Sequence, residues 1–134
     1  MHCNFLIEQE EFCFDIAAFG ETVSLLVNSK EQMLVEKLAS LLKFGPNSTR
    51  YKDVFDICYL LDFVDKEKLK DIIRIVIFSN DNMREKSFEA IAVRVKSVFH
   101  NKNYRSRIKT SKKNWLDISV EKVEEKMGTF FDNL

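Results

Sequence analysis

The chain has 134 residues, 46% of them hydrophobic and 31% charged, which is apolar material enough for one ordinary domain core. Lys plus Arg number 21 and Asp plus Glu number 21, so no global field draws the chain to nucleic acid or to a membrane surface. No window holds the roughly 18 apolar residues of a membrane span, and the acidic N-terminus MHCNFLIEQEEF lacks the basic region of a signal peptide; a cytoplasmic protein is expected.

Residues 4–27 carry a strand period. In EFCFDIAAFG, Phe12, Phe14 and Ile16 alternate with Cys13, Asp15 and Ala17, Gly20 marks a turn, and ETVSLLV returns with Val23, Leu25 and Val27 on one face. The pattern then becomes helical. SKEQMLVEKLASLLKFGP opens with Ser29 and Gln32 at capping-box spacing, carries a Leu34, Leu38, Leu41 and Leu42 stripe, and ends at Gly45-Pro46. A second helix is predicted after Ser48 or Thr49 as N-cap, running to about Phe63. Asp65 is expected to cap a third over KEKLKDIIRIVIF, with Leu69, Ile72, Ile73 and Val76 inward. A fourth covers roughly 84–99 with Phe88, Ile91, Ala92, Val95, Val98 and Phe99 on its stripe. Residues 100–114 show no periodic apolar face and read as a loop. A last helix from about Ser119 to Asp132 turns Val120, Val123, Met127, Phe130 and Phe131 inward. The expected fold is α+β: a short antiparallel hairpin or meander over residues 1–28, then a five-helix region over 29–134. Two or three strands make a marginal sheet, which asks for partners.

The second helix poses a problem in charge. At 100° per residue Asp53 and Asp56 fall within about 60° of each other, on the face of Ile57 and Leu60. A carboxylate taken out of water needs a cation, a metal or hydrogen-bond donors. Lys37 lies about 60° from Leu34, at the edge of the first helix's apolar stripe, and a short link makes the two helices neighbours. Lys37 is therefore expected to face Asp53 or Asp56, with Arg50 and Lys52 adding positive charge. Plainer accounts stand beside this one. Asp53 sits where the helix dipole favours a carboxylate, Lys37 is able to lay its stem on the core and keep its ammonium wet, and a structural ion pair has the same spacing.

Three further features carry less. The cysteines Cys3, Cys13 and Cys58 are odd in number, lack metal-ligand spacing and read as reduced buried thiols. His2 and His100 belong to no ligand pattern. In the basic stretch HNKNYRSRIKTSKKN, Arg105, Arg107, Lys109, Lys112 and Lys113 with Tyr104 and the following Trp115 are able to grip RNA phosphates and stack a base. The bland alternatives are a solvated loop neutralised by the acidic last helix and a Trp115 that anchors the core.

The stretch EKLASLLKFGPNSTRYKDVFDICYLL resembles the AbiEii/AbiGii-type toxin nucleotidyltransferases. Glu36-Lys37 matches that family's E-K-hydrophobic helix, and Arg50-x-Lys52-Asp53-x-x-Asp56 matches its R-x-K-D-x-x-D helix. FCFDIAAFGETV is similar to its hydrophobic-D-hydrophobic strand with a Gly turn, and Trp115 before a last helix fits its C-terminal shape. The resemblance spans most of the chain. It implies a polymerase-β-like palm followed by a helical domain, in a prokaryotic abortive-infection or toxin–antitoxin setting. It also implies Mg2+ and a nucleoside triphosphate as cofactors, Lys37 and Asp53 as catalytic residues, Asp56, Arg50, Lys52 and Asp15 as support, and an antitoxin as partner. The palm's Gly-Ser motif followed by Asp-x-Asp is missing: the sequence has no Gly-Ser pair. The expectation is thus the C-terminal part of such an enzyme, from a truncated or split gene and inactive alone, completed by a second polypeptide or paired as a homodimer. Two alternatives remain open: a helical interaction module that dimerises through the N-terminal strands, and a small RNA-binding protein using residues 100–114.

Overall fold

Helix signals govern everything that the computed structural model describes, which is residues 29–134. The order is α1 Lys30–Phe44, a 3-10 turn Gly45–Asn47, α2 Tyr51–Leu60, α3 Lys66–Ile73 continued by a π-helical turn Arg74–Phe78, α4 Phe88–His100, α5 Lys102–Thr110 and α6 Val120–Asp132. The α+β expectation is corrected on two counts. The described residues form six helices with no strand among them, and not five helices beside a sheet. The extra helix is α5, inside the stretch expected to be a loop. The strands expected over 4–27, with Asp15, Cys3 and Cys13, lie outside the described residues.

Helix starts follow capping chemistry. Ser29 Oγ accepts from the Gln32 N–H at 3.1 Å, but Gln32 turns its amide to Glu36 at 3.1 Å, so only half of the expected capping box forms. Asp65 accepts from the Glu67 and Lys68 N–H groups at 3.0 and 3.3 Å, and Ser87, Asn101 and Ser119 cap α4, α5 and α6. α2 departs from expectation: neither Ser48 nor Thr49 is its N-cap. Arg50 holds that position without a side-chain cap, and Ser48 Oγ instead accepts from the Arg50 N–H at 3.3 Å.

Gly45 ends α1 with φ 56°, a left-handed backbone that favours glycine. A Cβ there would also run into the Arg94 guanidinium. This close approach lets α4 lie against the turn that leads into α2.

The core is one cluster. Leu34, Leu38 and Leu42 of α1 meet Phe55, Ile57 and Cys58 of α2, Leu69, Ile73 and Ile77 of α3, and Ile91, Val95, Val98 and Phe99 of α4. Tyr104 and Ile108 of α5 and Val123, Met127 and Phe131 of α6 close it. The inward face of α3 is Leu69, Ile73 and Ile77, with Ile72 and Val76 only partly buried, a small rotation from the expected stripe. Glu31, buried in the first turn of α1, accepts the Asp65 N–H at 2.7 Å and so ties the start of α1 to the start of α3. Between them, α1 and α6 hold α2 in a setting where it is buried almost all round. That burial creates the electrostatic problem at Asp53 and Asp56.

Candidate functional site

Asp53 is 7% exposed and Asp56 9% exposed, in a helix whose neighbours in sequence are Val54, Phe55 and Ile57. Carboxylates so placed stay ionised only with close donors, and the fold supplies them from three elements. From α1, Lys37 Nζ donates to Asp53 Oδ1 at 3.2 Å and stands 3.2 Å from Asp56 Oδ2. From the entry to α2, Arg50 Nε donates to Asp53 Oδ2 at 2.6 Å. Two residues on, Lys52 Nζ donates to both oxygens of Asp56, at 3.0 and 2.9 Å. From the segment before α6, the Trp115 indole N–H donates to Asp56 Oδ1 at 2.7 Å.

Lys37 is thus the shared member of a cluster in which each carboxylate has a second cation of its own. Three cations against two carboxylates leave a surplus of one positive charge. The Asp53 hydrogen bond, and then its charge, raise the Arg50 pKa further above its ordinary value. The Lys37 side chain is 26% exposed, so solvent reaches it while its partners stay buried.

A magnesium ion prefers near-octahedral oxygen coordination. No group of three or more His, Cys, Asp or Glu side chains able to hold a metal occurs among the described residues. Both carboxylates here are already engaged by cations and the indole. The cluster does not fit a metal ion.

Of the residues singled out from the sequence, the structure brings together Lys37, Asp53, Asp56, Arg50 and Lys52; Asp15 lies outside the described residues. The basic stretch divides. Arg105 is taken by α6, with Nη2 at 3.2 Å from Glu121 Oε2 and Nη1 bonded to Glu124. Arg107 Nε donates to the Tyr51 hydroxyl at 2.9 Å, and its Nη2 to the Pro46 carbonyl, so the end of α5 is fastened to the start of α2. Lys109, Lys112 and Lys113 are exposed.

Sequence reasoning missed the part played by Trp115. It is not a core anchor: it is 50% exposed, and only its N–H edge reaches inward, to Asp56. No local signal joins residues 56 and 115. Tyr104, fully buried, was equally hidden. Its ring lies 6.2 Å from that of Tyr51, and burial pushes its hydroxyl pKa well above the ordinary value, with the Tyr51 charge adding and Arg107 opposing.

A family model described as nucleotidyl transferase AbiEii toxin, Type IV TA system, matches residues 5–125. The chain belongs to this family, the one that the Glu36-Lys37 and Arg50–Asp56 motifs resemble. No curated protein and no solved structure matches the chain. Among the described residues no helix is long and apolar enough to cross a membrane.

Proposed function

We propose that this member of the toxin nucleotidyltransferase family supplies the helical side of a nucleoside-triphosphate site. Lys37 neutralises triphosphate oxygens and Asp53 orders the nucleophile. Asp56, Arg50 and Lys52 hold Lys37 and Asp53 in place. One observation carries this reading: Lys37 bridges two carboxylates that each keep another cation, Arg50 at 2.6 Å and Lys52 at 2.9 Å. Lys37 is therefore free to turn to an incoming phosphate without leaving a buried charge unpaired.

The family also implies magnesium, but its ligands must come from outside the described residues. With no Gly-Ser pair in its sequence, the chain by itself is not expected to transfer nucleotides, and a segment or second polypeptide bearing the palm's metal ligands completes it. An antitoxin partner follows from the family's toxin–antitoxin description.

Two measurements test this. Tripolyphosphate at about 100 times its dissociation constant adds about 2.7 kcal/mol to the stability of the wild-type chain and nothing to Lys37→Met; equal stabilisation of both sinks the phosphate role. Labelled nucleoside triphosphates with magnesium and RNA give no transfer with the chain alone. Transfer that is lost in Lys37→Ala would overturn the claim of inactivity.

A further inference from the structure

Beside the ion cluster runs a row of rings. Trp115 lies 5.3 Å from Tyr59 between ring centroids, and Tyr59 lies 5.0 Å from Phe63. The three are 50%, 39% and 52% exposed. An ordinary surface tryptophan turns freely, but this one has its indole N–H fixed on Asp56 at 2.7 Å, so its half-exposed ring is held in place before any ligand arrives.

The chain that leads to Trp115 adds charge. Residues 107–113, RIKTSKK, carry Arg107, Lys109, Lys112 and Lys113 with no acid. Among the described residues none of these four forms an ion pair, and all are exposed. The segment starts at Tyr51, held by Arg107, and ends at Asp56, held by Trp115, so it follows α2 from its first residue toward the rings.

We propose that Trp115, Tyr59 and Phe63 are a stacking surface for the unpaired bases of a single-stranded nucleic acid whose phosphates follow Arg107, Lys112 and Lys113. Bases stack on aromatic faces whatever their identity, and phosphates pair with a flanking row of cations. A protein partner would favour a wider apolar centre depleted of charge, whereas these three rings stand beside Lys52, which shares Asp56 with Trp115, and Lys112 and Lys113 precede Trp115 by three and two residues. The strand's role as acceptor of a nucleotide rests on the proposed triphosphate site; its binding to the rings does not.

Trp115 is the chain's one tryptophan, so its fluorescence reports directly on the surface. Titrating the whole chain with 12-nucleotide oligouridine quenches that fluorescence, and an abasic oligomer of equal length binds at least about tenfold more weakly. Tyr59→Ala and Phe63→Ala, at exposed positions, each weaken oligouridine by about tenfold. Lys112→Ala with Lys113→Ala lowers the salt slope of binding by about 1.4. Lys37→Met leaves oligouridine affinity within about twofold while abolishing the tripolyphosphate effect, so that either proposal is able to fail alone. The stacking surface is overturned if the abasic oligomer binds as tightly as oligouridine, or if no quenching appears up to about 1 mM strand. A dimer of this chain that dissociates on Tyr59→Ala, with no oligonucleotide binding, would assign the strip to a second copy and overturn it as well.

Discussion

Replacing Lys37 with Met removes the cation that, among the described residues, touches both buried aspartates, and keeps an apolar side chain of similar length. Breaking a fully buried ion pair costs about 3–5 kcal/mol, because the remaining charge is left without a partner. That range is too high here. Asp53 keeps Arg50 at 2.6 Å, and Asp56 keeps Lys52 at 2.9 Å and the Trp115 N–H at 2.7 Å. The retained cations are largely exposed, 65% and 60% for Arg50 and Lys52, so they make up only part of the loss. A destabilisation of about 2 kcal/mol follows. In urea, with a slope of about 2 kcal/mol/M for a domain of this size, the unfolding midpoint falls by about 1 M at an unchanged slope. Adding Asp53→Asn to Lys37→Met removes a charge that has lost its neighbour and restores about 1 kcal/mol, a coupling visible in a double-mutant cycle. If Lys37→Met moves the midpoint by less than about 0.2 M, or if Asp53→Asn adds its full separate cost, Lys37 does not balance the buried pair and the account fails.

Gly45→Ala should destabilise by about 1–3 kcal/mol through its positive φ, while the Arg94 guanidinium swings away from the new Cβ; a thermal midpoint within a degree or so of wild type would contradict the geometry. Tyr104→Phe should be neutral or stabilising by about 1 kcal/mol, because the buried hydroxyl has no hydrogen-bond partner among the described residues. A clear loss on chemical denaturation would place a partner for it outside them. Burial raises the pKa of both Cys58 and Tyr104, with the Asp62 charge adding and Lys126 opposing at Cys58. Each group is an acid kept neutral in the fold, so its contribution is whole below its unfolded pKa and is lost as pH rises past it. Stability should begin to fall at roughly pH 8.5 for Cys58 and again near pH 10 for Tyr104. Urea midpoints between pH 7 and 10.5 check this: Cys58→Ala delays the onset, and a flat profile would show that neither group is held neutral.

Much of the helical body was legible because its signals are local. The leucine stripe of α1, the Asp65 cap of α3 and the inward residues of α4 and α6 need only period and capping chemistry. The same period put Asp53 and Asp56 on the buried face of α2 and Lys37 at the edge of its neighbour. α5 escaped because a helix of only two and a half turns shows just two buried residues, Tyr104 and Ile108, in a strongly basic setting. Their i, i+4 spacing behind Asn101, which caps the Tyr104 N–H at 2.9 Å, was the available signal. The start of α2 was misplaced because the Ser48 backbone N–H closes the turn on Gly45 and its hydroxyl accepts from the Arg50 N–H, short of the first turn of α2. Long-range links had no local trace at all. Glu31 on the Asp65 N–H, Arg107 on Tyr51 and Trp115 on Asp56 each join residues far apart in sequence, and only packing decides them.

The arrangement of the cluster bears on whether it is more than structural. A buried ion group gives little net stability over apolar residues of the same volume, so holding the helix in place is a weak reason to put two aspartates in α2. A cluster built only to neutralise them would pair one cation with each, as Arg50 and Lys52 already do. Lys37 is additional to that requirement, partly exposed, and placed between the two. On the proposed reading its surplus charge is the feature that matters. Two carboxylates hold the ammonium in position before a triphosphate arrives, and two other cations keep those carboxylates balanced once it turns away. The proposal therefore predicts opposite effects of the neighbours on phosphate binding. Arg50→Ala, which makes Asp53 depend wholly on Lys37, should weaken tripolyphosphate binding even though Arg50 need not touch the ligand. Asp56→Asn, which releases one of the two holds on Lys37, should strengthen it. If both substitutions weaken binding in proportion to lost stability, Lys37 is merely part of a structural cluster.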